Sequence, residues 1–289
     1  MKKLLPILLL IASIGLKAQE VTDSLPDTLY HRVMIIPYDQ KMYLSDADTD
    51  IGKKSGYDLE EVRRRFRLGL DISLHASMED SFGSYPILRD TASQAREDLA
   101  MIYQSIGYYY DLPDRVVREM KADMEEPAYK KVFRKGKKKE AEEEDLEIDL
   151  FDGDQRKEMV RKHPDKYLNV RIRNEALFDS LNAHYEPELY LFINQMEIET
   201  DYDDCIDRVN QIYNRKMRVH FSMFTPEGIQ VAGDVVEVDF PSNSNNMSRI
   251  IGTDMPQLAR RLMELIPPTT YEGIMTLDEL EAWKADQNR

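Results

Sequence analysis

Leu189-Tyr190-Leu191-Phe192-Ile193-Asn194-Gln195-Met196-Glu197-Ile198 is the stretch whose reading decides the fold. It is strongly β-prone and apolar on both faces until Asn194. A strand of that kind belongs at the centre of a sheet with helices packed on either side, because neither face can be left to water.

The surrounding chain extends this picture in both directions. Downstream, Met217, Val219, Phe221 and Met223 alternate with Arg218, His220 and Ser222. That alternation predicts a half-buried strand whose polar face carries His220 to the surface. Pro226-Glu227-Gly228 reads as a turn. Ile229, Val231, Val236, Val238 and Phe240 then form the returning strand of a hairpin, with Gly233-Asp234 as a bulge. Asp254 and Pro256 open a core helix through Ile266, which Pro267-Pro268 stop.

Upstream, Leu168, Val170 and Ile172 alternate as a strand, and Asn174 caps a helix carrying Ala176, Leu177 and Leu181. Arg32-Val-Met-Ile-Ile-Pro37 is a short buried strand. Residues 38–57 read as loop, since Asp46, Asp48, Asp50, Gly52 and Gly56 all discourage regular structure. Asp58 followed by Glu61 signals a helix start, and Leu59, Val62, Phe66 and Leu70 recur at helical spacing over residues 58–79. Ala92, Ala95, Leu99, Ile102 and Ile106 form one stripe of a second helix, capped by Asp90 or Thr91 and ended by Gly107. The predicted class is therefore α/β, a mixed β-sheet flanked by helices in three α/β/α layers.

The flanks carry other information. Lys2 and Lys3, an apolar run from Leu4 to Leu16, and Ala18 at the cut read as a signal peptide over residues 1–18. Thirteen residues rise about 20 Å as a helix, short of the roughly 30 Å hydrocarbon core, so the run is expected to be a leader and not an anchor. Residues 19–31 read as a flexible lead-in, 32–267 as a single domain, and 268–289 as a tail with a short helix. Seven Lys or Arg in residues 130–139 precede nine Asp or Glu in 140–154. Such blocks predict a charged, disordered insertion near 130–160.

The chain of 289 residues has 39 basic and 54 acidic side chains, a formal charge of −15. Without residues 1–18, which hold three lysines and no acids, the charge is −18. So acidic a surface has no sequence-independent route to nucleic acid, and it favours a protein partner over an anionic membrane. Cys205, the only cysteine, sits in Asp-Asp-Cys-Ile-Asp, where neighbouring carboxylates disfavour the thiolate. The established phosphate-loop, dinucleotide, zinc-protease and serine-hydrolase motifs do not occur, and the five histidines lack metal-ligand spacing. One group stands out as a metal candidate: Asp46-Ala-Asp48-Thr-Asp50, alternating carboxylates that can converge on calcium or magnesium. Ile51 stands where a calcium loop needs glycine, and Tyr57 where it needs a bidentate Glu. A second acidic cluster, Asp201, Asp203, Asp204 and Asp207, reads as a strand exit with capping residues leading into Ile206 and Val209.

The order of elements resembles the mixed α/β domain of the TolB amino-terminal and CsgG-like group of bacterial envelope proteins. The resemblance rests on Val33-Met-Ile-Ile-Pro37, Leu191-Phe-Ile-Asn194 after a helix, and the hairpin across Pro226-Glu-Gly228 followed by a closing helix. It covers about two-thirds of the chain after the leader. It implies an exported binding or assembly module of the cell envelope, not an enzyme, whose partner is another envelope protein. The lipid-anchoring cysteine and pore-forming segments of CsgG-like members are missing, so channel formation is not implied. Periplasmic or secreted localisation is expected, with no cofactor. The alternative from a different class is a cation-dependent hydrolase using Asp46, Asp48 and Asp50.

Overall fold

A computed structural model describes residues 32–79, 83–113 and 166–266. The expected leader, lead-in, charged insertion and tail helix lie outside the described residues.

The central strand is where the sequence puts it. Strand β1 (Arg32–Ile36) lies parallel to β6 (Leu189–Asp207), with Val33 opposite Leu189 and Ile36 opposite Phe192. On its other side β1 pairs in parallel with the edge strand β3 (Gly83–Pro86). A short strand, β2 (Tyr43–Ser45), continues the parallel pairing along β6 opposite Met196 to Ile198. Beyond β6 the sheet turns antiparallel through β7 (Ile212–Phe224) and β8 (Gln230–Pro241). The order is β3-β1-β6-β7-β8, and a separate antiparallel ribbon joins β4 (Ile106–Asp111) to β5 (Tyr167–Ile172).

Each face of this mixed sheet has its own core, as the two-sided apolar run requires. Val33, Ile35, Leu191 and Ile193 pack with Phe66, Leu70 and Leu74 of α2 (Leu59–Met78) and with Leu258 and Leu262 of α5 (Met255–Met263). Met34, Ile36, Tyr190 and Phe192 pack with Ala95 and Ile102 of α3 (Ser93–Ser105) and with Phe178 and Leu181 of α4 (Leu177–Tyr185). Phe178 anchors that second face, its ring centroid 4.9 Å from Tyr190 and 5.9 Å from Phe224. Each such side chain taken out of water contributes roughly 2–3 kcal/mol before entropy is counted. Among the described residues no helix is long and apolar enough to cross a membrane.

Local signals set several boundaries. The Asp58 carboxylate accepts the Glu61 backbone N–H at 2.8 Å and starts α2 as predicted. The Asn174 side chain accepts the Ala176 N–H at 3.1 Å just before α4. Gly69 lets α2 approach the last helix closely, since a Cβ there would lie 2.9 Å from Ile251 and 3.0 Å from the Met255 sulfur.

Other expectations are corrected. Residues 38–57 are not a loop: they form a 3-10 turn (Gln40–Met42), β2 and α1 (Asp48–Ser55). The stretch is held by tertiary burial of Tyr38, Met42, Ala47 and Ile51, which outweighs the weak helix propensity of its Asp and Gly residues. Helix α3 ends at Ser105, and Gly107 lies within β4. The hairpin bulge falls at Val231, between the Met223–Ala232 and Phe224–Gln230 pairs. Gly233 pairs regularly with Ser222, and its missing Cβ makes room for the Tyr167 hydroxyl. The last helix begins early, at Met247–Arg249 capped by Asn246, and passes through a π turn (Ile250–Asp254) before α5.

Candidate functional site

Asp46 and Asp48 of the predicted metal group each bond to other side chains or backbone of the fold. Asp46 accepts the Thr200 backbone N–H at 2.9 Å and the Thr200 hydroxyl at 3.1 Å, which ties β2 to β6. Asp48, buried in the first turn of α1, accepts the Tyr43 hydroxyl at 2.6 Å and Arg63 Nε at 3.2 Å. Burial and the Asp48 charge hold the Tyr43 phenol well above its ordinary range. Asp50 is exposed and, with Asp46, lies within electrostatic reach of Arg215. Burial lowers the Arg215 guanidinium from its ordinary value, and those two carboxylates oppose the shift. Arg215 Nε donates to Thr200 at 3.1 Å and its Nη1 to Asn245 at 2.8 Å. Asp46 thus ties the segment before α1 to β6, and Asp48 ties α1 to β2 and to α2. Among the described residues no group of three or more His, Cys, Asp or Glu is placed to hold a metal ion.

The second acidic cluster departs from its sequence reading. Instead of leading into a helix, β6 runs on to Asp207 and pairs with β7 as Cys205–Tyr213 and Asp207–Ile212, with register shifts on either side of Cys205. The β8 ladder ends at the Asn214–Pro241 pair, Ser242 still bonds to both the N–H and the carbonyl of Tyr213, and past that point β6 and β7 form a short two-stranded arm. The Asp207 carboxylate builds its tip by accepting the Val209 N–H at 2.9 Å and the Asn210 side chain at 2.7 Å, and the Asn210 bonds hold its carboxyl below the ordinary range. Gln211 closes the turn with a φ of 53°. Tyr202 stacks edge-on against Tyr213 at 5.3 Å between centroids. The arm then presents three apolar side chains to solvent: Tyr202 is 69% exposed, Ile206 58% and Val209 91%. Sequence reasoning missed it, although an Asn-containing turn between two β-prone runs was a usable signal.

His220, expected at the surface, is 3% exposed. The β4–β5 ribbon covers the polar face of β7 and turns it into a buried network. His220 Nδ1 accepts the Leu168 backbone N–H at 2.9 Å, which puts the ring hydrogen on Nε2, 3.5 Å from a Glu197 carboxylate oxygen. Asn194 donates to the Leu168 carbonyl and to Ser222 Oγ, both at 2.7 Å, and Ser222 donates to Asn169 at 2.5 Å. Asn169 in turn donates to Tyr109 and to Gln230, each at 2.9 Å. Although Ser222, His220 and Glu197 share this region, both imidazole nitrogens are directed elsewhere, at Leu168 and Glu197. Ser222 Oγ is bonded to Asn194 and Asn169 and not to His220, and the arrangement locks the ribbon to the sheet.

Comparison with known proteins adds no identity: the chain matches no family model and no curated protein.

Proposed function

We propose that the protein is an exported, non-catalytic binding or assembly module of the bacterial cell envelope, which grips another envelope protein with the β6–β7 arm. The observation that carries this reading is the arm itself, where Tyr202, Ile206 and Val209 face solvent beyond the edge of the sheet. Large apolar side chains grouped on a protruding hairpin are the anchors that protein interfaces use. Asp201, Asp203, Asp204 and Asp207 flank them, so the fitting partner offers an apolar recess rimmed by Lys or Arg. The leader-like amino terminus and the resemblance to the TolB amino-terminal and CsgG-like group support export and an assembly role.

Cross-linking and pull-down from the native envelope test the proposal, with the full chain beside an Ile206→Asp/Val209→Asp variant. Both positions are solvent-facing, so the variant should keep the parent Tm. A defined partner recovered with the parent and weakened roughly 30-fold or more by the variant is the expected result. Recovery of the protein alone, or equal recovery with both forms, would overturn it.

A further inference from the structure

His220 is an ionisable side chain on the alternating polar face of β7, and the fold buries it with its ring in a fixed tautomer. The Leu168 backbone N–H can only donate, so His220 Nδ1, 2.9 Å away, accepts and carries no hydrogen. The carbonyl of Leu168 accepts from Asn194 at 2.7 Å. Two side chains of the sheet thus grip one residue of β5 by both of its backbone polar groups.

Three strands of the sheet set the charges around the ring. Glu197 of β6 places Oε1 3.5 Å from Nε2, beyond a good hydrogen bond but close enough to attract a charged ring strongly. Gln195, opposite His220 on β6, donates to that same oxygen. Arg218, two residues earlier on β7, lies 4.0 Å from the other Glu197 oxygen and 3.2 Å from Glu237 of β8. Strand β8 sets the uncharged Val235 opposite His220. The ribbon contributes Leu168 itself, with Tyr110 of β4 paired to it and Lys166 two residues before it.

A second proton on this ring has one place to go. Nε2 already holds a hydrogen, so the proton enters at Nδ1, where it meets the Leu168 N–H head-on. Two donors cannot share that contact, and the bond to the ribbon breaks. The Glu197 carboxylate beside Nε2 stabilises the imidazolium that the docked ribbon opposes. We propose that His220 is an acid-sensitive latch: protonation of Nδ1 releases Leu168 and loosens the β4–β5 ribbon from the sheet. The docked form holds one proton fewer than the released form, so docking is favoured as pH rises and release as pH falls. Strands β4 and β5 carry the two ends of the stretch between Asp111 and Tyr167, so the latch sets how firmly both ends are held to the body of the fold. It is separate from the arm, and neither reading depends on the other.

NMR of the full chain between about pH 8 and pH 5, the range in which imidazoles generally titrate, tests the latch. Ring nitrogen shifts report the protonation of His220. Hydrogen-exchange protection of the Leu168 amide, with the intrinsic effect of pH divided out, reports docking. The expected result is a ring that passes from the Nε2–H tautomer to the doubly protonated form, with Leu168 protection falling about tenfold or more on the same titration. Protection along the β6–β7 ladder should not change. His220→Asn sets an amide oxygen near the place of Nδ1 and should keep the ribbon docked without that pH dependence, a melting curve checking that it folds. A ring that stays neutral down to pH 5, a ring that titrates while Leu168 protection holds constant, or a loss of protection that persists in folded His220→Asn would overturn the latch.

Discussion

Two groups of buried polar side chains in this molecule are hydrogen-bonded to very different degrees. Under the β4–β5 ribbon, Asn194, Ser222, Asn169, Gln230 and His220 pass hydrogen bonds from one to the next and to the Leu168 backbone. At the end of β1, Tyr38, Arg67 and Asp71 leave four buried atoms idle. Desolvation is severe at both places, so the difference lies in the partners. The first cluster spends most of its polar atoms on joining two sheets, a structural task, and leaves only Asn194 Oδ1 and His220 Nε2 without a hydrogen bond. The second leaves unbonded the Tyr38 hydroxyl, Arg67 Nε and both carboxyl oxygens of Asp71, so its cost of burial is met by no partner.

Substitutions can break or sharpen this contrast. The largest effect is expected from Asp71→Asn and depends on pH. Burial pushes the Asp71 carboxyl up from 3.8 to about 7, and Arg89 and Arg67 only partly oppose it. The folded protein therefore favours the protonated acid. No penalty applies below the unfolded value of 3.8; it grows as pH rises through the window and is complete above about 7. Asp71→Asn removes the ionisation, so its stability relative to the parent should rise between pH 4 and pH 8 by roughly 4 kcal/mol. Urea denaturation of both forms across that range checks the slope. A flat difference would place donors on Asp71 and erase the contrast.

Asn194→Ala is the opposite test. It strips donors from the Leu168 carbonyl and Ser222 inside a dry network, and it should destabilise by about 3 kcal/mol with little pH dependence over the same range. The midpoint of a denaturant titration reads this directly. A loss below about 0.5 kcal/mol would mean that the network is not what holds the ribbon. The smallest effect is expected at Tyr38→Phe, which deletes a hydroxyl without partners and keeps the ring stacked near Tyr43. Stability should stay within about 0.5 kcal/mol of the parent or rise slightly. A clear loss of Tm would show that the hydroxyl is bonded.

Parts of this were readable in advance. Leu189 to Ile193 announce a strand covered on both faces, and the structure surrounds them with β1 and β7 and two helical layers. Asp58 with Glu61 marks the start of α2 because the capping carboxylate and the backbone N–H that donates to it lie three residues apart. The arm was not read, since Asp201, Asp203, Asp204 and Asp207 have the same composition as helix-capping loops, and only pairing with Ile212 and Tyr213 makes them a strand. Tyr38 follows β1 while Arg67 and Asp71 belong to α2, and nothing in their local sequence shows that their polar atoms are buried without hydrogen bonds.

The sequence by itself determined the class of fold, the positions of the long helices and the central strand, and the acidic character of the surface. Those properties follow from periodicity, caps and charge, which act over a few residues. Only the tertiary structure decided that His220 is buried, that Asp46 bonds to Thr200 while Asp48 bonds to Tyr43 and Arg63, and that Tyr38 and Asp71 are buried. Burial of a polar atom depends on what lands on top of it. For His220 that cover is β5, 52 residues away from Leu168 to His220 along the chain, and no local pattern carries that information.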